Sequence, residues 1–133
     1  MVVKNEPMEK RADRSADVKK AIWAYTQSEK VKSGLIWICQ VADQVAAMDD
    51  PGRRQAVMLL QTLVRMVADE SVLAARLSGD GSWHEIGRKI NMALVMINSG
   101  VPQETSFHLT RALTRVTRIG GQAAEVLRQK GLF

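Results

Sequence analysis

The chain contains one cysteine, Cys39, in the apolar run Leu35-Ile36-Trp37-Ile38-Cys39. A lone thiol makes neither an internal disulfide nor a multi-cysteine metal site. Its apolar neighbours should raise its pKa and blunt its reactivity, so it reads as a small buried hydrophobe in a reducing compartment. Proline is nearly as scarce, at three residues. Strand formers alternate nowhere for a useful length, which argues against β structure. No run approaches the ~18 consecutive apolar residues of a membrane span. Met1 to Arg14 mixes both charges and has no apolar segment of the signal-peptide kind. A cytoplasmic address without membrane contact is therefore the expectation.

Catalytic and metal motifs are absent too. The two histidines are His84 and His108. His108 follows Glu104 by four residues, so the pair shares a helix face, yet nothing supplies the further ligands a transition metal needs. The paired Glu-x-x-His motifs of di-iron bundles do not occur. No Gly-x-Ser-x-Gly elbow strains a nucleophile into place. Gly79-Asp80-Gly81-Ser82 precedes a helix as anion-binding loops do, but it lacks the Walker lysine and the preceding strand. No catalytic residue, metal site or cofactor is implied.

What the chain does have is helical periodicity. At 133 residues, 46% of them hydrophobic and 25% charged, it suits one globular domain that needs no covalent staple. Residues 1–14 read as a flexible charged tail. Beyond it, a stripe of Val18, Ala21, Ile22 and Tyr25 is followed by a second, Val31, Leu35, Ile38, Ala42 and Val45. At 100° per residue the two stripes point in nearly opposite directions, so a break near Gln27-Ser28, with Ser28 capping a new helix, is expected over one long helix. Asp49-Asp50-Pro51 signals a fresh start, with an aspartate cap and proline in the first turn. That helix should run to Ser78 and stop at Gly79. Its main buried stripe is predicted as Ala56, Leu59, Leu60, Leu63, Met66, Val67, Ala74 and Leu77. A second strip, Val57, Val64, Ala68 and Ala75, suggests a central helix. Ser82 and Glu85 form a capping-box pattern ahead of the stripe Trp83, Ile86, Ile90, Ala93, Leu94 and Ile97. After Asn98-Ser99-Gly100, Pro102 opens the last helix. Its stripe of Leu109, Ala112, Leu113, Val116, Gly120, Ala123 and Leu127 continues through the Gly120-Gly121 pair. Gly120 falls on the buried side, where another helix can come close. The expected fold is all-α: an up-down bundle of four to five amphipathic helices over residues 15–133.

The net charge of +5 is uneven. Residues 1–50 balance, whereas residues 81–133 hold seven basic and three acidic side chains. Arg111, Arg115 and Arg118 stack on one face of the last helix, a row suited to phosphates or to acidic groups on a partner, though a solvated face carries the same pattern. The last two helices also have the order of parts of a helix-turn-helix, but the first is long for that motif. Glu70 falls among Leu63, Met66, Val67 and Ala74, where a lone carboxylate is costly. It reads as a polar site, an ion pair with an arginine of another helix, or a helix break with Ser71 as cap. Met92, Val95 and Met96 lie off their helix's main stripe, as Trp37 does off its own. They are either buried within the chain or exposed as a docking surface.

Together these features point to a non-catalytic protein–protein interaction module that associates with its own copies through Trp37, Met92, Val95 and Met96. Nucleic-acid binding by the basic face of the last helix is the alternative.

Overall fold

The computed structural model describes residues 7–101 and 104–133. Four helices account for nearly all of them: α1 Met8–Ala46, α2 Gly52–Ser78, α3 Ser82–Asn98 and α4 Thr105–Gln129. No strand occurs among the described residues. Pro102, expected to open the last helix, and residues 1–6 of the expected tail lie outside that set.

α1 is one rod of 39 residues, about 58 Å long at 1.5 Å per residue. The break expected at Gln27-Ser28 is not there. Its buried residues run from Ala21 through Gln27 and Ser28 to Val31, Leu35, Ile38, Ala42 and Val45, stepping by three and four from Ser28 onward. Two polar residues, Gln27 and Ser28, occupy the middle of that line and are buried. They hide the continuity that the apolar residues alone do not show. α1 also begins at Met8, within the stretch expected to be a tail, and residues 8–17 of it are exposed.

Helix starts depart from the expected caps. The residues at the N-cap positions of α2 and α3, Pro51 and Gly81, make no side-chain cap bond. Asp50 instead lies 3.8 Å from Arg54. The Ser82–Glu85 box does not close: the Asp80 carboxylate accepts from the Ser82 backbone N–H at 2.9 Å, and Glu85 turns to cations elsewhere. The stop at Gly79 is as expected. Its φ of 67° is the left-handed conformation that ends a helix, and its N–H donates to the Ala75 carbonyl.

α1 lies against α2 and α4, and α3 lies against the same two, with no close approach across either diagonal. The helices therefore form a ring of four around one core. Trp83, Ile86, Ile90 and Ala93 of α3 meet Leu35 and Ile38 of α1, Leu60 and Val64 of α2, and Leu109, Ala112 and Val116 of α4 in that core. Small residues set the closest approaches. A Cβ added at Gly120 of α4 would sit 3.0 Å from Ser28 Cβ of α1, and one at Gly87 of α3 would sit 3.2 Å from Ser71 Oγ of α2. Ser71 and Ser78, both buried in α2, donate to the Ala68 and Ala74 carbonyls of their own helix, which satisfies their hydroxyls there.

The ring corrects the reading of α2. Its buried residues are Leu60, Val64, Ser71, Ala74 and Ser78. Leu59, Leu63 and Met66, the heart of the expected buried stripe, are exposed. α2 is one corner of a ring, with one flank buried and an apolar flank open to solvent, and it is not a central helix.

Candidate functional site

That open flank meets an open flank of α1. On α1, Lys30, Gly34, Trp37 and Val41 recur at intervals of four, three and four. On α2, Leu59, Leu63, Met66 and Glu70 do the same. Each set is one line along its helix. Between them is a groove of about 290 Å³, lined by Gly34, Trp37 and Val41 from α1 and by Leu63, Met66 and Val67 from α2. Gly34 brings the helices close at its floor, since a Cβ there would meet Val67 Cγ2 at 2.9 Å. Trp37 stands 66% exposed beside the groove, Met66 57%, and Leu59, farther along the α2 line, 70%. These large apolar side chains stand open to solvent along the two facing lines.

One end of the groove is polar. Glu70 Oε1 is 2.9 Å from Lys30 Nζ, and Glu70 Oε2 accepts from Gln27 Nε2 at 3.4 Å. The carboxylate sits at the rim of the bundle and clasps α1 to α2. Its cationic partner is a lysine where an arginine had been one expectation, and the helix runs through Ser71 without the break that was another. Cys39, two residues beyond Trp37 and therefore on another side of α1, is half-buried. Burial, followed by the neighbouring Asp43 carboxylate, raises its pKa above the ordinary thiol value.

The remaining expected contact residues lie elsewhere. Met92 and Val95 of α3 are exposed and Met96 is half-buried, but α3 does not approach α1. The structure therefore does not bring them together with Trp37. Met92 instead lines a second groove, of about 280 Å³, between α3 and α4. Leu59, Leu63 and Met66 were missed as surface residues because they are large apolar side chains at helical spacing. The signal that could have found them is the pair of serines, Ser71 and Ser78, on the line that is actually buried.

The basic face of α4 is not a uniform row. Arg115 is tied to Glu85 of α3 at 2.8 Å. Arg111 lies over the Phe107 ring, 5.4 Å from its centroid, within cation–π range. Arg118 is exposed. No group of three or more His, Cys, Asp or Glu able to hold a metal ion occurs among the described residues, and no described helix is long and apolar enough to cross a membrane.

Comparison with known protein families, curated proteins and solved structures finds no match for this chain.

Proposed function

We propose that this chain is a non-catalytic helical interaction module that associates with a second copy of itself through the α1/α2 groove. The carrying observation is Trp37, an exposed aromatic knob beside an apolar hole on the same surface. A two-fold contact places the same patch on both partners, so the knob of each copy can enter the hole of the other. The rim favours a like partner over an unlike one. Lys30 and Glu70 give it one charge of each sign, which a two-fold pairing matches without leaving a net charge facing itself. We read the bundle as up-down. In support, touching pairs run in opposite senses along neighbouring helices: Gln27 with Glu70 and Gly34 with Val67 for α1 and α2, and Gly120 with Ser28 and Ser106 with Asp43 for α4 and α1.

Sedimentation equilibrium up to about 0.2 mM tests the reading, since even a contact with a Kd of about 10 µM is mostly filled there. The expected result is twice the 14.7 kDa chain mass, returning to the single mass when Met66→Lys puts a charge in the groove. A single mass at every concentration contradicts the proposal, and so does a Met66→Lys protein that still pairs.

A further inference from the structure

The α3/α4 groove differs from the α1/α2 groove in its chemistry. Arg88, Lys89 and Met92 line it from α3, and Phe107, His108 and Arg111 line it from α4. Its single carboxylate, Glu85, is already engaged, at 2.8 Å from Arg115 and 3.7 Å from Lys89. Arg88 and Arg111 have no carboxylate partner among the described residues. The groove thus carries surplus positive charge in the third of the chain where the sequence concentrates it. Phe107 is 59% exposed at this site, with the Arg111 guanidinium over its ring and the His108 ring edge-on at 5.4 Å between centroids. An exposed ring beside guanidiniums that no carboxylate holds has the chemistry of a stacking platform flanked by phosphate ligands.

We propose that the α3/α4 groove binds single-stranded nucleic acid, with a base stacked on Phe107 and backbone phosphates held by Arg88 and Arg111. A duplex is the poorer fit. Reading its major groove takes a projecting helix or ribbon, whereas this site is a recess between two helices. In a duplex the bases are also already stacked on each other and have no face free for Phe107. An acidic peptide satisfies the arginines but gives no role to the exposed ring. The inference adds to the alternative drawn from sequence. It selects the class of strand, enlists Arg88 and Phe107, and removes Arg115, which Glu85 holds. It is also independent of self-association, because the groove shares no residue with the α1/α2 surface.

Fluorescence anisotropy with labelled oligothymidine and oligouridine, titrated at salt concentrations from about 30 to 300 mM, tests it. Binding should be tightest at the lowest salt and weaken with a slope of about 0.7 per phosphate contacted. Phe107→Ala should weaken it at least about fivefold, and Phe107→Tyr, which keeps the ring, should restore it. The double variant Arg88→Ala/Arg111→Ala should lower the salt slope by about 1.4, two phosphates' worth. Arg65→Ala, an exposed arginine of α2, should change little. The same titration with Met66→Lys separates this site from the α1/α2 groove and should leave the affinity unchanged. The proposal is overturned by absence of binding at about 30 mM salt, by a duplex of equal length binding more tightly, or by polyglutamate displacing the strand as readily as unlabelled strand does. Phe107→Ala binding like the parent overturns it too, as does Arg65→Ala losing as much as the Arg88/Arg111 pair, because general charge would then account for the attraction.

Discussion

The α1/α2 and α3/α4 grooves are alike in size, about 290 and 280 Å³, and both arise where two helices of a four-membered ring meet at the surface. They differ in what the ring leaves outside. On the α1/α2 side the outward residues are Trp37, Leu59, Leu63 and Met66, and one ion pair closes one end. On the α3/α4 side Glu85 bridges to Arg115 across the helices, and arginines surround one phenyl ring. The same architecture therefore leaves one apolar recess and one basic recess. The comparison teaches that in a ring of helices the backbone supplies the recess, and the residues one step around from the buried line decide its occupant.

The largest effect that sharpens this comparison separates two tryptophans. Trp83 is almost fully buried in the α3 core, so Trp83→Ala should cost about 3–5 kcal/mol in urea unfolding. Trp37→Ala, measured at dilution where chains are separate, should stay within about 0.5 kcal/mol of the parent while weakening self-association. Equal losses at both sites would mean that the α1/α2 flank belongs to the core after all.

A smaller effect concerns how closely α1 and α2 approach. Gly34→Ala drives a Cβ to 2.9 Å from a branched, stiff valine side chain. Overpacking of about 1–3 kcal/mol then offsets the roughly 1 kcal/mol that alanine gains over glycine inside a helix. Gly121, on α4, has nothing within 4 Å of a built Cβ. Gly121→Ala should therefore stabilise by about 0.5–1 kcal/mol. Thermal unfolding of the two variants should shift in opposite directions, or with Gly34→Ala clearly the less stable. A gain from both would show that the floor of the groove is looser than the structure has it.

The smallest effect is at the rims. Glu70 and Glu85 each join two helices through partly exposed pairs, which are worth about 1 kcal/mol or less. Glu70→Gln and Glu85→Gln should each lower stability by no more than that. Their consequences differ, because Glu85→Gln removes the only carboxylate of the basic groove and should tighten anion binding. If Glu70→Gln tightened it equally, the anion would be answering to net charge and not to the α3/α4 site.

Where apolar and small residues occupy nearly all of the buried line, the fold was legible in the sequence. The stripes of α3 and α4 follow the three-and-four spacing, and the close approach at Gly120 follows from its place on the α4 stripe. Where the buried line is polar, the sequence misled. Gln27 and Ser28 interrupt the hydrophobic line of α1 and suggest a break that the backbone does not have. Ser71 and Ser78 lie on the buried line of α2, so Leu59, Leu63 and Met66 looked like its inner face. Ser71 and Ser78 tolerate burial because each hydroxyl returns to a carbonyl of its own helix, whereas Ser28, whose hydroxyl has no such partner, lies at the close approach of α4. Hydrophobicity alone weighs neither effect. Of the candidate residues, Trp37 stands off the main stripe of its helix, a place that left burial and exposure both open, and the structure leaves it exposed. The α3/α4 groove was not, since it depends on Arg88 and Phe107 meeting across two helices.

Methionine methyl groups report on both grooves at once, because Met66 lies in one and Met92 in the other. With carbon-13 methionine methyl labels, spectra recorded from dilute to concentrated protein should show the Met66 resonance shifting or broadening as copies pair, with Met92 unchanged. A Met92 resonance that moves while Met66 stays fixed, or two that stay fixed at concentrations where the mass has doubled, would contradict the assignment of the α1/α2 groove as the surface where copies meet.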